Sequence, residues 1–101
     1  MAVKELSTAD FDAEIASGKT VVDFFATWCG PCKMMAPVIE AASEEYKDIK
    51  FCKVDVDKDG ALASRYGIMG VPTLIVFKDG EVVQKSVGAI SGDELSRLLK
   101  D

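Results

Sequence analysis

Two cysteines separated by two residues are the feature of this sequence with the clearest chemical meaning. Cys29 and Cys32 lie in the segment WCGPCK, with Gly30 and Pro31 between them and Trp28 in front. This spacing lets both sulfurs close into one small disulfide ring if Cys29 begins a helix. Such a pair can bind a metal ion, form a structural disulfide that stabilises the fold, or exchange electrons.

Metal ligands are scarce in this chain. It has three cysteines and no histidine, and the third cysteine, Cys52, lies far from Cys32 in sequence. Structural zinc usually takes four Cys or His ligands, so we expect no bound metal. With 101 residues, 49% of them hydrophobic, the chain can bury a core without a disulfide staple. Electron exchange is the use that these observations favour.

Length and charge narrow the function classes further. The length fits one domain over residues 1–101, and the formal charge of −5 argues against a nucleic-acid partner. No apolar stretch approaches the roughly 20 residues that span a bilayer. The first residues lack the apolar core of a signal peptide, so we expect a cytoplasmic protein without a membrane partner. In that compartment a dithiol is more often catalytic or metal-binding than structural.

Alternating strand and helix patterns predict an α/β fold. The predicted strands cover residues 3–6, 20–26, 50–56, 73–77 and 81–87, and the helices begin near Ser7, at the dithiol, near residue 61 and at Ser91. Helical crossovers imply parallel strand pairs, and the Asp79-Gly80 turn implies an antiparallel hairpin. The result is a mixed five-stranded sheet with four helices on its two faces. The dithiol then follows a central strand, where open α/β sheets place their sites.

The position of each cysteine predicts its role. A helix N-terminus stabilises an anion, so the pKa of the Cys29 thiol should fall. Cys32 should lie one turn further in and be more buried, with a less favoured thiolate. We therefore expect Cys29 to attack a partner disulfide and Cys32 to resolve the mixed disulfide.

Asp23 is the candidate proton acceptor for Cys32, because the chain has no histidine. It is a lone carboxylate in a strand of Val, Phe and Ala, and burial would raise its pKa. Lys53 on the adjacent strand could pair with it and moderate that rise. In the alternative interpretation, Asp23 faces solvent at a strand edge. Cys52 is interpreted as a small buried hydrophobe.

The sequence resembles the thioredoxin family over nearly its whole length. Residues 23–33, DFFATWCGPCK, resemble the family's active-site segment, and residues 66–74, YGIMGVPTL, resemble its cis-proline segment. Residues 77–81 and 87–89 resemble its last hairpin. Phe25 is a departure, because many members carry a second tryptophan there.

The resemblance implies a thioredoxin fold and a monomeric carrier that reduces protein disulfides without a bound cofactor. It implies recharging by an NADPH-dependent thioredoxin reductase and substrates such as ribonucleotide reductase, peroxiredoxins and methionine sulfoxide reductases. In the family, the aspartate matching Asp23 assists the buried cysteine, and the lysine matching Lys53 is its neighbour. The proline matching Pro72 is cis and packs against the sulfurs. The expected docking surface consists of Trp28, Gly30, Pro31, Val71, Pro72, Gly88 and Ala89, with the Val71 backbone pairing with an extended substrate segment.

Two other functions remain open at this stage. An oxidase or isomerase of a secretory compartment often has histidine between the cysteines, whereas Gly30 and Pro31 favour a reductant. A non-catalytic binding module would use the same docking surface as a subunit. That activity would survive mutation of both cysteines.

Overall fold

The computed structural model describes residues 3–100 and contains five strands and four helices in this part of the chain. The strands are β1 (Val3–Glu5), β2 (Lys19–Phe25), β3 (Lys50–Asp55), β4 (Thr73–Lys78) and β5 (Glu81–Val87). The helices are α1 (Thr8–Ile15), α2 (Gly30–Glu45), α3 (Gly60–Arg65) and α4 (Gly92–Lys100). Among these helices, none combines the length and the apolar character needed to cross a membrane.

The five strands form one mixed sheet in the order β1-β3-β2-β4-β5. The three strands β1, β3 and β2 run parallel, whereas β4 is antiparallel to both β2 and β5. The strand that precedes the dithiol is therefore the middle strand, with hydrogen-bonded neighbours on both sides. This arrangement confirms the predicted mixed α/β sheet.

Side-chain alternation along the strands divides the core between the two faces of the sheet. On one face, Val22 and Phe24 of β2 pack with Phe11 of α1 and Leu62 of α3. On the other, Val21 packs with residues of α2 and α4, among them Met35, Ile39, Leu95 and Leu99. Asp23 has the same parity as Val21, so its side chain faces α2 rather than the α1 side.

Local sequence signals set two element boundaries as predicted, the turn between β4 and β5 and the start of α4. Asp79 and Gly80 both have positive φ, 50° and 86°, which is the conformation that a tight hairpin turn between β4 and β5 requires. Ser91 and Glu94 form a capping box before α4: the Ser91 amide donates to Glu94 Oε1 at 2.9 Å, and the Glu94 amide donates to Ser91 Oγ at 3.2 Å.

Candidate active site

Cys29 is the N-cap residue of α2 and is joined to Cys32 by a disulfide bond. Their Cα atoms are 5.3 Å apart, within the usual range for a disulfide. The Cys32 amide donates to Cys29 Sγ at 3.1 Å, so an otherwise unpaired N–H of the first helical turn points at this sulfur. Pro31 occupies an early helical position, where its missing N–H removes no helical bond.

The two cysteines are almost equally buried, and this corrects the expected difference between them. Cys29 is 4% exposed and Cys32 is 6% exposed, so Cys32 is not the more buried residue. Both cysteines pack in one small cluster with Ala26, and Val56 and Val71 pack against that cluster. The asymmetry between the cysteines therefore rests on the helix start, where only Cys29 Sγ receives an amide hydrogen bond from the first turn.

The loop before β4 lies directly against the dithiol. Its Val71–Pro72 peptide bond is cis, as the resemblance implied, and Val71 O lies 3.7 Å from Cys29 Sγ. The Pro72 carbonyl accepts from the Gly88 amide at 2.8 Å, which ties this loop to the end of β5. Gly88 has φ of 97°, a conformation that favours glycine. The cis-proline loop and the 88–89 loop thus meet beside Cys29.

Asp23 is buried rather than at an exposed strand edge, which rules out the alternative interpretation of this residue. It is 6% exposed, and its Oδ1 atom has no hydrogen-bond partner. Burial raises the pKa of the Asp23 carboxyl from 3.8 to about 6, and the charge of Lys53 opposes that rise. The two residues are register partners on β2 and β3. Lys53 Nζ lies 5.5 Å from the centre of the Phe25 ring.

Asp23 and Cys32 line the same pocket, which has a volume of about 260 Å³. Its lining consists of Asp23, Phe25, Ala26, Thr27, Cys32, Lys33, Ala36 and Lys53. A carboxyl with a pKa near neutrality and a resolving sulfur therefore share a cavity large enough for several water molecules. This geometry can support proton transfer between the two groups through water.

The remaining predicted docking residues lie around the disulfide at the surface. Trp28 is 69% exposed, and Gly30, Pro31 and Ala89 are also exposed. Gly88 and Val71 are half-buried, whereas Pro72 is buried. A Cβ added at Gly30 would meet no atom within 4 Å, so the space in front of the helix start is open.

Asp57 is a site residue that the sequence analysis missed. Its Oδ2 atom accepts from Trp28 Nε1 at 2.9 Å, which fixes the indole ring at the edge of the site. Register could have suggested this contact, because Phe25 and Asp55 are paired at the ends of two parallel strands. Residues that follow those ends, such as Trp28 and Asp57, emerge at the same edge of the sheet.

Cys52 lies apart from this site. It is 2% exposed within the core on the α1 side of the sheet, and burial raises the pKa of its thiol to about 11. Among residues 3–100, no cluster of three or more Cys, His, Asp or Glu side chains is placed to hold a metal ion.

Comparisons with known proteins agree with one another. The sequence profile of the Thioredoxin family matches residues 2–101. Thioredoxins from the Mu50 and MW2 strains of Staphylococcus aureus are 47% identical to the chain over 100 residues, covering 98% of it and 96% of their own length. A chain from a structural study of thiol resolution in yeast mitochondrial 1-Cys peroxiredoxin via glutathione/thioredoxin systems superposes with a TM-score of 0.91. It is 35% identical, and the match covers 99% of this chain and 95% of that one.

Proposed function

Because this chain belongs to the thioredoxin family, we propose that it is a general reductant of protein disulfides, recharged by an NADPH-dependent thioredoxin reductase. The family and the Cys29–Cys32 disulfide show a dithiol–disulfide redox carrier that acts as a protein-disulfide oxidoreductase. One observation supports the assignment of Cys29 as the attacking sulfur most strongly. Cys29, at the start of α2, receives the Cys32 amide hydrogen bond, and this contact stabilises a thiolate on Cys29.

The reaction begins with the reduced chain. The Cys29 thiolate attacks one sulfur of a partner disulfide, forms a mixed disulfide and expels the other partner sulfur as a thiolate. Cys32 then attacks Cys29 Sγ, forms the Cys29–Cys32 bond and releases the second partner sulfur. Two electrons pass to the partner, and the chain is left oxidised. Helix-terminal cysteines of this family are themselves standard examples of a lowered thiol pKa.

Asp23 is proposed to accept the Cys32 proton in the second step. Its buried carboxyl, with a pKa raised to about 6, is ionised at neutral pH and shares a pocket with Cys32. Lys53 moderates the pKa of this carboxyl through its charge. Pro72 has no amide hydrogen, so the loop beside Cys29 leaves the Val71 backbone available to an extended substrate segment.

The partners are proposed from the family. We expect thioredoxin reductase as the electron donor, and ribonucleotide reductase, peroxiredoxins and methionine sulfoxide reductases as acceptors. Substrates would dock on the exposed surface around the disulfide, where Trp28, Gly30, Pro31, Val71, Gly88 and Ala89 lie. The protein would act as a cytoplasmic monomer with no bound cofactor.

Single cysteine variants test this mechanism with insulin as the substrate. Cys29→Ser should abolish reduction, because the attacking sulfur is lost. Cys32→Ser should form a mixed disulfide with insulin and hold it, because nothing resolves it. Normal turnover by both variants would show that the mechanism is wrong. The equilibrium reduction potential against glutathione tests the direction, since a value well below the glutathione poise supports a reductant.

A further inference from the structure

The methionines of this chain differ sharply in exposure. Within residues 3–100, Met69 is 97% exposed and Met34 is 73% exposed, whereas Met35 is 1% exposed in the core under α2. An unbranched apolar side chain that is almost fully exposed loses hydrophobic stabilisation, so packing does not explain Met69. Its thioether sulfur is open to solvent and to solutes.

Both exposed methionines lie next to the dithiol. Met69 is two residues before Val71, whose carbonyl is 3.7 Å from Cys29 Sγ, so its Cα lies within about 7.6 Å of the Val71 Cα. Met34 is on α2 one turn after Gly30, and residues four apart share a helix face. Met69 therefore lies on the cis-proline loop, and Met34 lies on the first turns of the helix that carries the dithiol.

We propose that Met69 and Met34 are oxidation sites at which a hydroperoxide tunes substrate docking while the disulfide stays intact. In this step the methionine sulfur attacks the terminal peroxide oxygen and forms an S=O bond as the O–O bond breaks. The sulfur loses two electrons, and hydrogen peroxide leaves as water. Met35 is buried and should be spared.

A sulfoxide at either methionine places a polar group beside the docking surface, where the thioether was apolar. Its oxygen is a hydrogen-bond acceptor, and covering it with a substrate without a donor is unfavourable. Oxidation should therefore weaken docking without altering the sulfur chemistry of Cys29 and Cys32. This inference deepens the proposed function and rests on it. Methionine sulfoxide is reversible by dithiol-driven reductases, so the modification can act as a switch.

The first measurement locates the oxidation without using activity. The disulfide form is treated with hydrogen peroxide, because Cys29 and Cys32 are then joined and Cys52 is buried. Peptide mass spectrometry should find sulfoxide at Met69 and Met34 at least about tenfold faster than at Met35. Equal rates at Met69 and Met35 would overturn the proposal.

The second measurement asks whether the sulfoxide acts on docking. After the peroxide is removed, KM for insulin should rise about fivefold while kcat changes less than about twofold. KM of each treated protein is divided by KM of its own untreated sample. In the Met34→Leu/Met69→Leu variant this ratio should stay near one. A sulfoxide that leaves KM unchanged, or a rise in KM that persists in this variant, overturns the proposal. Failure of the untreated protein to reduce insulin would instead overturn the proposed function, and the peptide map would still decide whether both sites oxidise.

Discussion

Asp23 and Lys53 are register partners on the two central parallel strands, yet Asp23 Oδ1 lies buried without a hydrogen-bond partner. Burial disfavours the carboxylate more strongly than the charge of Lys53 favours it, so the carboxyl pKa rises from 3.8 to about 6. The unfolded chain releases this proton near pH 3.8, and the folded chain holds it until about pH 6. Asp23 therefore contributes to stability below pH 3.8, and that contribution is lost as the pH rises through 6.

Replacing Asp23 by asparagine should stabilise the oxidised protein at pH 8. The amide cannot ionise, so the free energy of unfolding should exceed that of the parent by up to about 3 kcal/mol, since one pKa unit is worth about 1.4 kcal/mol. Near pH 4 the two proteins should become equally stable. Urea unfolding at both pH values measures this. Asp48→Asn makes the same change at an exposed turn and is the control. A parent more stable than Asp23→Asn at pH 8 would contradict this prediction.

Removing the Asp23 side chain should slow resolution of the mixed disulfide. We expect Asp23→Ala to lower this rate about 100-fold at pH 7, because a general base typically contributes about 10²–10⁴. Formate should restore part of the rate, since the pocket of about 260 Å³ beside Cys32 would admit a small carboxylate. Stopped-flow release of a chromogenic thiol measures the step. If formate changed the resolution rate of Asp23→Ala no more than that of the parent, a carboxylate in this pocket would not act as the base.

Asp57 should hold Trp28 in its docking position. Asp57→Ala removes the acceptor of the indole N–H bond of 2.9 Å, so KM for insulin should rise about threefold through a more mobile ring. Trp28 is the single tryptophan of the chain, so its fluorescence anisotropy reports this motion directly. Asp57→Asn retains an acceptor and should behave like the parent. If both variants have the parent's anisotropy, the bond does not restrain the ring.

Cys52 should act as packing alone. Its buried thiol, with a pKa raised to about 11, should not react with a thiol reagent in the folded oxidised protein and should react once the protein is unfolded. Cys52→Ala should keep insulin reduction. Cys52→Ser should have a free energy of unfolding ~1–3 kcal/mol below that of Cys52→Ala, because it buries an unpaired hydroxyl. A loss of turnover in Cys52→Ala at full stability would assign this thiol a redox role.

The elements of the fold were predictable because their signals are local. Apolar runs marked β2 and β3, and the Asp79-Gly80 turn and the Ser91 capping box fixed boundaries near the observed ones. Relations across the sheet were not predictable in this way. The unpaired oxygen of Asp23, the Trp28–Asp57 bond and the nearly equal burial of both cysteines depend on how separate segments pack, and composition and periodicity carry no information about that packing.

The central position of β2 has a consequence for the alignment of the active site. A strand bonded on both sides can exchange its amide hydrogens only when the whole sheet opens. The strand that carries Asp23 and leads into Cys29 therefore belongs to the slowest-exchanging part of the molecule, while substrates meet loops at its end. Thermal fluctuations that loosen those loops leave the reacting groups in register. The start of α2 should thus stay aligned with β2 through these fluctuations, until the sheet itself opens.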